Sequence, residues 1–243
     1  MGAIDAPGDD DVHLWYVFSD EVRDPATLAA YAALMAPDER ARHDRFVFEK
    51  DRHQFLVTRG VIRTLLGRCL GVDPADCAFE ADRYGRPRLV HPAGAPLGFN
   101  ISHTRGLVAC VLARGGEIGV DVEDASRPID PGLPRRFFSP DEADALDALP
   151  DDARPARFYE YWTLKEAYMK ARGMGLSLPL DGFSMLADTT PVGIRFTDAI
   201  DDDPRTWQFA QFTPGPRYRL AVALRRRGPD RAILVREFRP AVV

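Results

Sequence analysis

The chain has 243 residues, 45% of them hydrophobic and 10% aromatic, with 32 basic and 37 acidic side chains and a formal net charge of -5. That size suits one large domain or two small ones sharing a core, and three cysteines without metal-ligand spacing exclude a disulfide framework and a zinc cluster. The acidic balance argues against a nucleic-acid partner. Residues 1–11 lack a basic leader and no apolar run approaches a membrane span, so a cytoplasmic protein with no membrane association is expected.

In chain order, residues 1–10 read as a tail, and 12–18 as a strand rich in aromatic and β-branched side chains. A short helix is expected over 25–35. From 37 to 70, Phe46, Phe55, Leu56, Val61, Ile62, Leu65 and Leu66 recur at helical spacing, with Gly71 as the terminator, giving one long helix or two. The same stretch carries a run of arginines from Arg40 to Arg68, including Arg42, Arg59 and Arg63. This run is either a solvated helix face or an anion site for a phosphorylated small molecule.

Gly85-Arg-Pro-Arg88 reads as a loop, a strand enters at Phe99, and 107–112 is an apolar run. Gly115-Gly116, between that run and the alternating stretch 118–123, predicts a β-hairpin. Ser139-Pro-Asp-Glu142 carries a capping box with Ser139 as N-cap, so a short helix begins there. Another helix is expected over 155–172 up to Gly173, and three strands over 206–212, 217–224 and 232–238. Leu107-Val-Ala-Cys-Val-Leu112 has a loose counterpart in Leu220-Ala-Val-Ala-Leu224. The pattern suggests an α+β protein of two related halves, 1–117 and 118–243, each packing a helix on an antiparallel sheet.

Residues two apart on a strand share a face, so Asp121 and Glu123 lie side by side, and at about 6.6 Å and an effective dielectric near 20 they repel by about 2.5 kcal/mol. Water and salt suffice if that face is exposed; if it lines a cleft, hard oxygen donors call for Mg2+. Phe158, Trp162, Glu166 and Met169 share one stripe of the 155–172 helix, which puts an acid in the packing face. Lys170, one turn on, makes either an ordinary ion pair with Glu166 or part of a site in which Glu166 shares a cation with Asp121 and Glu123. Asn100-Ile-Ser-His103 reads as preceding a strand, with His103 near a sheet end as a donor to a phosphate oxygen. Ser102 and His103, adjacent on an extended chain, point to opposite faces and do not form a nucleophile–base pair.

The order Gly85-Arg-Pro87, Phe99-Asn-Ile-Ser-His103, Ile118-Gly-Val-Asp-Val-Glu123, Phe138-Ser-Pro-x-Glu142, Trp162-Thr-x-Lys-Glu-Ala-x-x-Lys170 and Gly173-x-Gly175-Leu-Ser-Leu resembles the 4'-phosphopantetheinyl transferases of the surfactin-synthetase-activating (Sfp) type. The resemblance runs from Arg42 to Leu180. It implies a monomeric fused pseudo-dimer with its active site at the interface of the halves. It also implies an activity: transfer of the phosphopantetheine arm of coenzyme A to a serine of an apo acyl or peptidyl carrier protein, as in secondary metabolism, with release of adenosine 3',5'-bisphosphate.

By position, the resemblance gives Asp121, Glu123 and Glu166 to Mg2+, and His103 and Lys170 to the coenzyme's phosphates. Ser102, with Asn100 of the same segment, would lie beside the pyrophosphate or 3'-phosphate, and Arg42, Arg86 and Pro87 would contact the 3'-phosphate and adenine region. The N-terminal half then carries the coenzyme and His103 side, the C-terminal half the carboxylates and Lys170. Glu166, directly or through a metal-bound water, is the candidate base for the carrier serine. Arg135 and Arg136 are candidates for carrier docking. Two other readings share these residues: a catalytically silent coenzyme A or nucleotide-binding protein, and a metal-dependent hydrolase of the coenzyme's diphosphate.

Overall fold

The computed structural model describes residues 4–240 and contains, among them, six α-helices and eleven strands. The expected first strand is β1, Asp11–Phe18. Asp24 accepts a hydrogen bond from the Thr27 amide and opens α1, Pro25–Leu34. The stretch expected to hold one helix or two holds two, α2 (Pro37–Asp44) and α3 (Glu49–Leu70). The break falls where the Phe46 ring packs, tilted, 5.4 Å from that of Phe55, leaving Phe48 extended. Gly71, at a φ of 68°, ends α3.

Beyond α3 come β2 (Ala78–Ala81) and β3 (Pro87–His91), then β4 (Leu97–Thr104) and β5 (Leu107–Arg114). The segment read as a loop at 85–88 is thus the end of a hairpin turn followed by a strand. Asp82 accepts from the amides of Tyr84 and Arg86 to close that turn. The Asn100–His103 segment lies within β4 and does not precede a strand: β4 pairs with β5 from Leu97 opposite Arg114 to Thr104 opposite Leu107.

The remaining elements are β6 (Ile118–Asp124), α4 (Leu133–Phe137), α5 (Pro140–Asp147), α6 (Arg154–Arg172), β7 (Phe183–Leu186), β8 (Gly193–Phe196), β9 (Trp207–Phe212), β10 (Tyr218–Arg225) and β11 (Ala232–Glu237). The capping box forms as read, with Ser139 Oγ accepting from the Glu142 amide and Glu142 accepting from the Ser139 amide.

The chain divides into two compact units, one running to Gly115 and resuming at Ala232, the other Gly116–Arg231. In the first, α3 buries Val57, Val61 and Leu65 with Trp15, Val17, Cys110 and Leu112 of a sheet ordered β11-β1-β5-β4. In the second, α6 lies on an antiparallel sheet ordered β6-β10-β9, where Ala167 and Ala171 share a core with Ala221 and Ala223.

Two expectations are corrected here. Gly115-Gly116 does not close a hairpin. Both edges of β5 are taken, by β1 and β4, so β6 pairs instead with β10, and the glycine pair marks the passage between units. The last strand, grouped by sequence with 118–243, runs parallel to β1 with Ala232 opposite Asp11, because β6 and β9 already occupy both edges of β10. The first unit's sheet is therefore mixed and not purely antiparallel.

Candidate active site

In the second unit the site is built by the closeness of α6 to β6. A Cβ at Gly119 would stand 2.0 Å from the Ala167 carbonyl oxygen and 2.5 Å from the Ala171 amide, so only glycine lets the helix backbone rest on the strand there. By strand alternation Asp121 lies next on the same face, and Lys170 reaches it from α6 with Nζ 2.6 Å from Oδ1. Asp121 is buried. Glu166, one turn before Lys170, is half-buried. Burial, then the charge of Asp121, raise its carboxyl above the ordinary range, while Lys170 pulls the other way.

Glu123, further along the strand, has Arg127 Nη1 at 3.6 Å and faces Arg219 across the β6–β10 ladder. The repulsion anticipated between the two strand acids is thus offset by Lys170 on one and Arg127 on the other. Asp124, on the opposite face, is buried against Arg217 and Ser126; burial alone would raise its carboxyl, but their hydrogen bonds hold it down at about 2. Among the described residues no three His, Cys, Asp or Glu side chains converge as a ready metal cage. What the arrangement offers is hard carboxylate oxygens around Asp121, with the ammonium of Lys170 standing as their cation.

Trp162, Glu166 and Lys170 form a half-exposed border of α6, whereas Tyr161, Lys165 and Tyr168 form its buried stripe. Sequence reasoning gave Lys165 no role. Its fully buried ammonium meets Glu142 at 2.8 Å and the carbonyls of Leu180 and Phe183 at 2.7 and 2.5 Å. Glu142 in turn accepts from the Ser139 amide and hydroxyl and, at 2.7 Å, from the Met185 amide. The Phe138-Ser-Pro-x-Glu142 segment therefore clasps α6 from behind. A signal was available: 158, 161, 165 and 168 follow helical spacing, and a lysine on such a stripe demands a buried anion. A second clasp is Asp202, which accepts from Tyr168 Oη and Trp207 Nε1 at 2.9 Å each, and from Arg172 and Arg225.

Beside Glu123, a recess of about 170 Å3 is lined by Arg127, Ile129, Leu133, Phe158 and Trp162 among others. Arg135 is tied to Asp144 and Asp147, which leaves it less free for docking than expected, while Arg136 is exposed over the Phe137 ring.

In the first unit, Asn100 and Ser102 are buried on one face of β4 and His103 is exposed on the other, as strand alternation requires. Arg86 sits in the β2–β3 turn and Pro87 opens β3. Arg42, on α2, holds its guanidinium carbon 5.4 Å from the centre of the Phe55 ring. The candidates of this unit thus come from three separate places: α2, the β2–β3 hairpin and β4.

Residues 117–223 match the 4'-phosphopantetheinyl transferase superfamily, and 24–114 match the family described as 4'-phosphopantetheinyl transferase, N-terminal. The chain is 35% identical over 217 residues to the 4'-phosphopantetheinyl transferase HetI of Nostoc sp. strain PCC 7120, a match covering 88% of each chain. It is 33% identical over 193 residues to the 4'-phosphopantetheinyl transferase Sfp of Bacillus subtilis strain 168, covering 79% of this chain and 83% of that one. A phosphopantetheinyl transferase of Thraustochytrium sp. is 33% identical over 76% of this chain and 67% of its own. The chain belongs to the 4'-phosphopantetheinyl transferase family.

Proposed function

We propose that this enzyme moves the 4'-phosphopantetheine arm of coenzyme A to a serine of an apo acyl or peptidyl carrier protein and releases adenosine 3',5'-bisphosphate. The observation that carries this reading is the cluster of Asp121, Glu166 and Lys170 where α6 meets β6. In the transfer, a bond forms between the serine oxygen and the pantetheine-bearing phosphorus, the bond to the bisphosphate breaks, and its electron pair leaves on the bisphosphate oxygen. Glu166, directly or through a water, takes the serine proton. Lys170 donates to the departing phosphate and His103 to a second phosphate oxygen.

The carboxylate donors around Asp121 fit Mg2+, which Asp121, Glu166 and Glu123 would hold. Bound there, the ion supplies neutralisation of charge on the diphosphate. Asn100, Ser102, Arg42, Arg86 and Pro87 hold the rest of the coenzyme, so residues of both units serve one reaction, in keeping with two related halves. The reading carries with it a cytoplasmic monomer acting in secondary metabolism. No helix among the described residues is long and apolar enough to cross a membrane.

The test is incubation with an apo carrier, coenzyme A and Mg2+, read by mass. A gain of about 340 Da on the carrier, the size of the phosphopantetheine group, is expected. No gain would leave a coenzyme-binding protein without transfer; free phosphopantetheine released in the absence of carrier would indicate a hydrolase.

A further inference from the structure

The two acids of β6 are held by cations of very different grip. Lys170 meets Asp121 with Nζ 2.6 Å from Oδ1, and its side chain is 29% exposed. Arg127 meets Glu123 with Nη1 3.6 Å from Oε2, beyond hydrogen-bond reach, and its side chain is 61% exposed. Arg219, across the ladder from Glu123, is drawn aside to Glu160 at 3.5 Å and to the carbonyls of Pro216 and Tyr218. The backbone of Arg127 is pinned: its amide donates to the Asp124 carbonyl at 3.2 Å, and its carbonyl accepts from Tyr159 Oη at 3.4 Å. Only the side chain is left loose, and it borders the recess of about 170 Å3 that Glu123 also lines.

An exposed ion pair without a hydrogen bond is held by charge alone and yields to a hard divalent cation. Charge balance names the cation that leaves. Asp121, Glu123 and Glu166, once ionised, carry three negative charges; Lys170 returns one and a divalent ion the other two, so a retained Arg127 would leave the cluster with an uncompensated positive charge. We propose that Arg127 is a built-in counter-ion of Glu123 which the divalent cation displaces, and that it thereby sets the affinity of the site for the metal. While Arg127 covers Glu123 that carboxylate is withheld, and the apparent affinity for the metal falls in proportion to the molecules so covered. The exchange needs a swing of one side chain and no movement of the turn. The inference rests on the metal-dependent transfer read for this site above.

The experiment measures Mn2+ binding to the whole chain, with coenzyme A present, by electron paramagnetic resonance of the unbound ion. Arg127→Met should bind Mn2+ about fivefold more tightly than the wild type, a ratio that corresponds to about 1 kcal/mol. Arg127→Lys, which keeps the charge, should bind as the wild type does. Arg195→Met, which removes a positive charge from a distant pair with Asp141, should change nothing. In a Glu123→Gln background, which binds more weakly through Asp121 and Glu166, Arg127→Met should lose its effect, because no charge holds the guanidinium there. The Mg2+ concentration that gives half-maximal carrier modification should fall in Arg127→Met by the same factor as the Mn2+ dissociation constant.

An unchanged Mn2+ affinity in Arg127→Met would overturn the counter-ion role and leave the transfer reading intact. A gain matched by Arg195→Met, or one that persists in the Glu123→Gln background, would do the same, since it would report net charge and not the pair. A wild type that modifies carriers but binds no Mn2+ would instead remove the metal site at Asp121, and the counter-ion with it.

Discussion

Replacing Lys165 by Met keeps the length and packing of the side chain and deletes only the ammonium. Three acceptors then lose their donor: Glu142 Oε2 and the carbonyls of Leu180 and Phe183. Glu142, at 2% exposure, is then held only by the Ser139 amide and hydroxyl and the Met185 amide. A buried charge stripped of its partner costs about 3–5 kcal/mol, which for a chain of this size lowers the melting temperature by about 10 °C. Adding Glu142→Gln removes the stranded charge and keeps the contacts to Ser139 through its one oxygen, at the loss of the acceptor for the Met185 amide. The double variant should therefore recover at least half of the loss, giving a coupling of about 2 kcal/mol in a double-mutant cycle. Urea unfolding followed by circular dichroism measures all four corners. A loss below about 1 kcal/mol in Lys165→Met, or strict additivity in the double variant, would refute the argument that the pair is an isolated, mutually dependent charge couple.

Gly119→Ala should cost about 1–3 kcal/mol or more, since its Cβ meets helix backbone and not a movable side chain; a melting temperature equal to the wild type would show that α6 has slack over β6. Asp121→Asn and Glu166→Gln should each slow carrier modification by about 100-fold or more with the circular dichroism spectrum unchanged, and near-normal rates in either would remove that residue from the chemistry. Asp124, held at about 2 against an ordinary 3.8, contributes stability that is present above 3.8 and lost as the pH falls through 2. The contribution is at most about 2 kcal/mol and is reduced by solvent around Arg217, which is 41% exposed. The gap in urea midpoint between wild type and Asp124→Asn should narrow on acidification from near neutrality to near pH 2; a gap independent of pH would refute it.

Local signals in the sequence located the longer helices and the strands of the two main sheets, because each rests on contacts a few residues apart, but not β2, β3, α4, β7 or β8. Ser139 and Gly173 act through neighbours within one turn, and Gly71 ends its helix by its own backbone conformation. The stripe on α6 was legible to within one residue: it placed Glu166 on the packing side, whereas the helix turns Tyr161, Lys165 and Tyr168 inward and leaves Glu166 at the border. The strand alternation of Asp121 and Glu123 was legible for the same local reason, but their cations were not. The sequence left Lys170 either as an ion-pair partner of Glu166 four residues back or as part of a site with Asp121 and Glu123, and its 2.6 Å contact with Asp121, 49 positions away, is what the fold adds.

Strand pairing shows why the rest was hidden. A glycine pair between two alternating runs is an ordinary hairpin, and nothing within 107–123 says otherwise; the veto comes from β1, which takes one edge of β5, and from β10, which claims β6. The same competition draws β11 across to β1. Edge occupancy is a property of the whole sheet, so no window of sequence contains it. Lys165 differs in kind. Its partner Glu142 also lies far off in sequence, but the need for a partner is written locally, because an ammonium on a buried stripe cannot stand alone. Buried charge announces that a distant contact exists even where its address is illegible. Arg63 and Arg59 look alike in sequence, and only the geometry of the buried Glu39 separates them, with Oε2 2.7 Å from Arg63 Nη2 and Oε1 3.5 Å from Arg59 Nη1.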